Sequence, residues 1–121
     1  MNTILWATQA ALALIFLAHG LLFLFPPEAI RKRIKQMPLP TRFLPVIWVA
    51  EILAAFGLLL PGVTGVLPWL TVLAAAGLAP IMVGAAILHA SRREVPPTIV
   101  TVVLLALAVF VADARWFMIP L

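Results

Sequence analysis

The chain contains no cysteine. Structural disulfides, iron–sulfur clusters on cysteine ligands and dithiol redox chemistry are therefore excluded. Charge is also scarce. Only 10% of the 121 residues are charged, eight of them basic and four acidic, whereas about a quarter of an ordinary globular domain is charged. A soluble domain of this length could not hide an apolar fraction of 65%. The composition predicts an all-α integral membrane protein, a single transmembrane domain with room for about four spans of roughly 20 residues joined by short loops. No stretch remains for a soluble catalytic domain. The chain also lacks the pattern of a Ser/His/Asp triad, a glycine-rich phosphate loop or a nucleic-acid motif. The formal net charge of +4 is thus assigned to anionic lipid headgroups, with no role for nucleic acid.

The apolar residues fall into four runs. The expected spans cover residues 3–25, 43–60, 69–89 and 97–113. The first carries no positive charge before its apolar run and no A-x-A site after it, so it is expected to be a retained span and not a signal peptide. Pro26 and Pro27 end it, because proline cannot continue the backbone ladder. Residues 28–37 place Ile30, Ile34 and Met37 at helical spacing among Arg31, Lys32, Arg33 and Lys35. That pattern predicts either a short interfacial helix, apolar side down and basic side toward headgroups, or a merely solvated charge run, with Pro38 and Pro40 stiffening the approach to span two. Pro61 and Gly62 are expected to stop span two. Span three carries Ala76, Pro80 and Gly84 on one stripe, which predicts close packing against another helix, within the monomer or across a homo-oligomer. Pro80 also predicts a kink. After span four, Asp113, Arg115, Trp116 and Phe117 read as an interfacial anchor. A faint echo, His19 before Pro26 and Pro27 and His89 before Pro96 and Pro97 at the same offsets, is compatible with a two-span duplication and equally with chance.

The loops after spans one and three share one side of the membrane. They hold Arg31, Lys32, Arg33, Lys35, Arg42, Arg92 and Arg93, seven of the eight basic residues. The positive-inside rule places these loops in the cytoplasm and both termini outside.

Between Arg42 and Pro61 the only ionisable side chain is Glu51. On insertion scales an acidic residue at a helix centre costs roughly 2.5–3.5 kcal/mol. Ala54 and Ala55 share its face, so Glu51 is expected to point into the bundle and not at lipid. Topology sets His19 about 9 Å of helix rise from the cytoplasmic end of span one, and Glu51 about 12 Å from that end of span two. His89 closes span three on the same side. The three are expected to line one polar pocket opening toward the cytoplasm, with Arg92 and Arg93 at its mouth. Three chemistries could use such a centre: a Glu/His relay carrying protons to a quinone or across the membrane, a divalent metal site on two His and one Glu, or a structural cluster holding the helices in register. The metal reading has the least support, because no fixed ligand spacing accompanies it.

Three stretches, AEILAAFGLLLPGVTG (residues 50–65), LAAAGLAPIMVGAAILHASRRE (73–94) and VADARW (111–116), resemble the DoxX-like family of small four-span bacterial membrane proteins. The resemblance extends loosely over the whole chain, including AHGLLFLF at the end of span one. It implies a four-helix bundle in the cytoplasmic membrane. It also implies a link to respiratory or thiosulfate–quinone oxidoreductase complexes, in which family namesakes are membrane subunits. The expected role is that of an accessory subunit, not itself an enzyme, that binds a quinone or lipid near Glu51, with no covalent cofactor. Any redox reaction would require an oxidoreductase partner, because the chain has no electron carrier of its own. A small proton-coupled transporter and an assembly protein without ligand are the alternatives.

Overall fold

The computed structural model describes residues 2–37 and 42–120. These form helices α1 (Asn2–Leu24), α2 (Glu28–Lys35), α3 (Leu44–Thr64), α4 (Trp69–Ser91) and α5 (Val95–Asp113), followed by a π-helical turn, Ala114–Met118. There is no strand among the described residues. The four long helices are long and apolar enough to cross a membrane. They are hydrophobic on nearly all sides, and their outward faces expose residues such as Leu14, Leu53, Leu73 and Val102. Lipid, not water, is the solvent such a surface requires.

The bundle is held by stripes that recur every three and four residues. On α1 the buried positions include Leu5, Gln9, Leu12, Phe16 and Phe23; on α3 they are Leu44, Trp48, Glu51, Ala55, Leu58 and Pro61. On α4 they are Thr71, Ala75, Leu78 and Met82, and on α5 Thr101, Leu104, Ala108 and Val111. Helix α3 packs against α1 and α4, and α4 against α5, while α1 and α5 touch only lightly. Two glycines set how closely the helices approach. A Cβ on Gly20 would lie 2.9 Å from the Trp48 carbonyl oxygen and 2.7 Å from Ile52 Cγ1, and one on Gly57 would lie 2.9 Å from the Ala74 Cβ.

Helix α3 does not stop at Pro61–Gly62. It continues through Pro61 to Thr64 and ends at Gly65, whose left-handed φ of 73° closes the helix with an N–H bond to the Pro61 carbonyl. Pro61 has no N–H to offer the carbonyl four residues back, that of Gly57. The Thr71 hydroxyl of α4 donates to it instead, at 3.0 Å, so the proline is tolerated because a neighbouring helix supplies the missing donor. Helix α4 likewise remains one helix through Pro80.

The expected packing stripe on α4 is not packed within the monomer. Ala76, Pro80 and Gly84 are exposed, and a Cβ on Gly84 would meet nothing within 4 Å. The buried stripe of α4 runs along the neighbouring face, so the small residues there leave space. Helix α2 is amphipathic as expected, but its apolar side rests on protein: Ile30, Ile34 and Met37 pack against Phe23, Leu44 and Trp48. The stiffened approach at Pro38 and Pro40 lies outside the described residues.

Candidate functional site

Glu51 occupies a core position on α3, one turn beyond Trp48 and one turn before Ala55, and is only 2% exposed. Its carboxylate meets α1. His19 Nδ1 and Glu51 Oε2 are 2.8 Å apart and share a hydrogen bond. The close approach that Gly20 permits lies beside this pair. The His19 ring stacks on Phe23, with centroids 4.3 Å apart, and Phe23 in turn lies 5.6 Å from the Trp48 ring. The imidazole is thus fixed on one nitrogen by a buried carboxylate and on one face by an aromatic ring. Its side chain nevertheless stays 45% exposed, so part of the ring opens into the space between the helices.

That space is a cavity of about 700 Å³, within the size range of small-molecule sites. Walls come from all four spans and from α2. Apolar side chains such as Phe16, Trp48, Met82 and Leu104 dominate them, while His19, Glu51, His89, Thr101 and Arg33 are the polar ones. The structure therefore brings Glu51, His19 and His89 to one cavity, as the topology argument expects. The partner of His89 is different. Its Nδ1 bonds Glu94 Oε1 at 2.8 Å, and the Glu94 N–H bonds the His89 carbonyl at 2.9 Å. Arg93 turns the chain between them with a left-handed φ of 58°. The His89 hydrogen bond is the main reason the Glu94 carboxyl is held below its ordinary value; burial opposes it, and the charges of Arg92, His89 and Arg33 assist.

Arg92 and Arg93 do not line the cavity; the basic residue that does is Arg33 of α2. Among the described residues, no group of three or more His, Cys, Asp or Glu is arranged to hold a metal ion. The arrangement suits hydrogen bonding and proton exchange. A carboxylate on Nδ1 sets the tautomer and orientation of a histidine and leaves Nε2 to meet a carbonyl or hydroxyl of a ligand.

A second polar cluster lies at the other end of the bundle. Arg115, expected as part of an interfacial anchor, is 2% exposed. Its Nε donates to Gln9 Oε1 at 2.7 Å, and one terminal nitrogen donates to Asn2 Oδ1 at 2.7 Å and to the Ile119 carbonyl at 3.1 Å. The other terminal nitrogen is buried without a partner. Gln9 Nε2 donates in turn to the Leu58 carbonyl at 2.6 Å, which ties α1, α3 and the π-turn together. Arg115 falls one turn after Val111 on the buried stripe of α5, and Gln9 one turn after Leu5 on that of α1. That register is the signal by which the sequence could have revealed both. Asp113, Trp116 and Phe117 are exposed, as an interfacial position requires.

No curated protein and no solved structure matches the chain. The model of the DoxX-like family matches residues 7–111. That match takes in His19, Glu51 and His89, α1 from residue 7, α3 and α4 whole, and α5 as far as its last turn. The protein is thus a four-span helical membrane protein that belongs to the DoxX-like family.

Proposed function

We propose that this protein is an accessory subunit of the cytoplasmic membrane that binds a quinone or another lipophilic small molecule in the cavity beside the His19–Glu51 pair. One observation carries the reading. The buried carboxylate does not end in a packed core but orients a half-open imidazole toward an apolar space of about 700 Å³. A cluster needed only for helix register would have no use for that space. Glu51 is the positioning group and His19 the group that meets the ligand, donating to or accepting from its polar head. His89 borders the same space from α4, with Glu94 fixing its ring. Electrons, where they are transferred, come from a partner oxidoreductase. The basic loops set the orientation, with the α2 end of the bundle in the cytoplasm and both termini outside.

Trp48 forms part of the cavity wall and reports on the site. A short-tailed benzoquinone titrated into the protein in neutral micelles is expected to quench its fluorescence, the Trp48 share being obtained by difference from Trp48→Phe. Glu51→Gln retains size and hydrogen bonding, so it is expected to fold like the parent and to change the affinity several-fold. Unaltered binding in Glu51→Gln, with loss of stability alone, would make the pair structural and overturn the proposal.

A further inference from the structure

The cavity is apolar along most of its wall but, among the described residues, has one arginine at its edge. Helix α2 docks through Ile30, Ile34 and Met37 onto Phe23, Leu44 and Trp48. Arg33 lies three residues after Ile30 in the same helix, so helical spacing turns it toward that docked side. Arg33 and Met37 line the cavity, whereas Arg31, Lys32 and Lys35 do not. The nearby acids are already engaged: Glu51 bonds His19 and Glu94 bonds His89, each at 2.8 Å. Arg33 itself makes no ion pair among the described residues. An arginine at the rim of an apolar cavity, with its local carboxylates occupied by histidines, provides a planar fork of donors without an acceptor among the described residues. Such a fork matches carboxylate and phosphate oxygens.

Building on the reading of this cavity as a binding site, we infer that its ligand is an anionic amphiphile. Its carboxylate or phosphate sits on Arg33 at the cavity edge, and its apolar part runs inward past Trp48, leaving His19 to a second polar group of the same molecule. Two features of the fold fit such a molecule. The Arg33 end lies beside the loop basic cluster, where the surface potential concentrates anionic headgroups. The α1–α5 side of the bundle, where the helices touch only lightly, gives an apolar chain the least tightly closed route in from the bilayer.

The experiment uses brominated single-chain probes, whose bromines quench tryptophan on contact, titrated by mole fraction in neutral detergent micelles at pH 8. A brominated fatty acid is compared with its methyl ester, and a brominated alkyl phosphate with the matching phosphocholine. The Trp48 signal is again isolated with Trp48→Phe. The parent is expected to bind at least one anionic probe about tenfold more tightly than its counterpart without net charge, as a charge-assisted bond provides. The larger preference identifies the head as carboxylate or phosphate. Arg33 is exposed, so Arg33→Gln is expected to fold normally, to abolish the preference and to leave the affinity for the ester unchanged, while Arg33→Lys restores part of it. Equal binding of both members of each pair in the parent, or a preference that survives in Arg33→Gln, overturns the inference. Quenching by the ester would then leave the cavity reading intact. If neither these probes nor the benzoquinone quenches Trp48, the cavity reading falls and the inference with it.

Discussion

Replacing Gly20 with alanine adds one methyl group where α1 approaches α3, beside the His19–Glu51 pair. The new Cβ would lie 2.7 Å from Ile52 Cγ1 and 2.9 Å from the Trp48 carbonyl oxygen. Ile52 can turn aside, because the conflict is with a flexible side chain. The Trp48 oxygen is backbone inside a helix and cannot. Ordinary contact begins near 3.4 Å, so α1 must retreat by about half an ångström, which falls in the overpacking range of about 1–3 kcal/mol. The same retreat stretches the 2.8 Å bond between His19 and Glu51 toward the outer limit of roughly 3.2 Å for such bonds. Reversible unfolding in mixed micelles is expected to show Gly20→Ala less stable by that amount, with weaker quenching of Trp48 by the benzoquinone. Gly84→Ala is the control: its Cβ meets nothing within 4 Å, so it carries only the helix-propensity gain of up to about 1 kcal/mol that both alanines share, and it should be at least as stable as the parent. Equal stability of Gly20→Ala and Gly84→Ala would refute the argument that glycine at position 20 sets the helix separation.

Arg115→Met removes the donors to Gln9 and Asn2 and strands a buried Gln9 oxygen; unfolding should show a loss of about 1–3 kcal/mol. Adding Gln9→Leu makes both sides apolar and is expected to recover part of that loss, since replacing both partners is far less costly than orphaning one. The Glu94 carboxyl is held below its ordinary value, chiefly by the His89 hydrogen bond. Its contribution to stability is therefore present above the unfolded value of about 4.3 and lost as pH falls through the lower folded value. Between pH 6 and pH 3 the parent should lose stability more steeply than Glu94→Gln; parallel curves would show that the His89–Glu94 bond does not matter to the fold.

Much of this fold was legible because lipid imposes a simple rule: long apolar runs become helices, and each ionisable group inside them turns inward. Glu51 and His19 obey it, and counting helix rise from the ends of their spans was enough to place them at one level. Two local departures have different physical causes, one hidden from the pattern and one carried by it. Pro61 is a stop signal only if no neighbour replaces its missing donor, and Thr71 lies on another helix, beyond the reach of local reasoning. Arg115 resembled an anchor because Trp116 and Phe117 follow it; its register with Val111, Ala108 and Leu104 carried the opposite message. At the cavity edge the basic residues of the α4–α5 loop were the expected choice, but the docking of α2 decides which cation borders it. The small-residue stripe of α4 predicts a contact within the monomer or across a homo-oligomer because small residues permit close approach, and within the monomer it is exposed. They also permit empty space, and only the placement of the other helices distinguishes the two.

The most direct test of the account is native mass spectrometry of the protein released from membrane nanodiscs, with Gly84→Phe as the comparison. A Cβ at position 84 meets no neighbour and Gly84 lines the cavity, so a phenyl ring there fills the space without disturbing the helices. A lipophilic molecule is expected to be retained by the parent and absent from Gly84→Phe. A parent that carries nothing, or a Gly84→Phe variant that retains the same mass at the same occupancy, would contradict it.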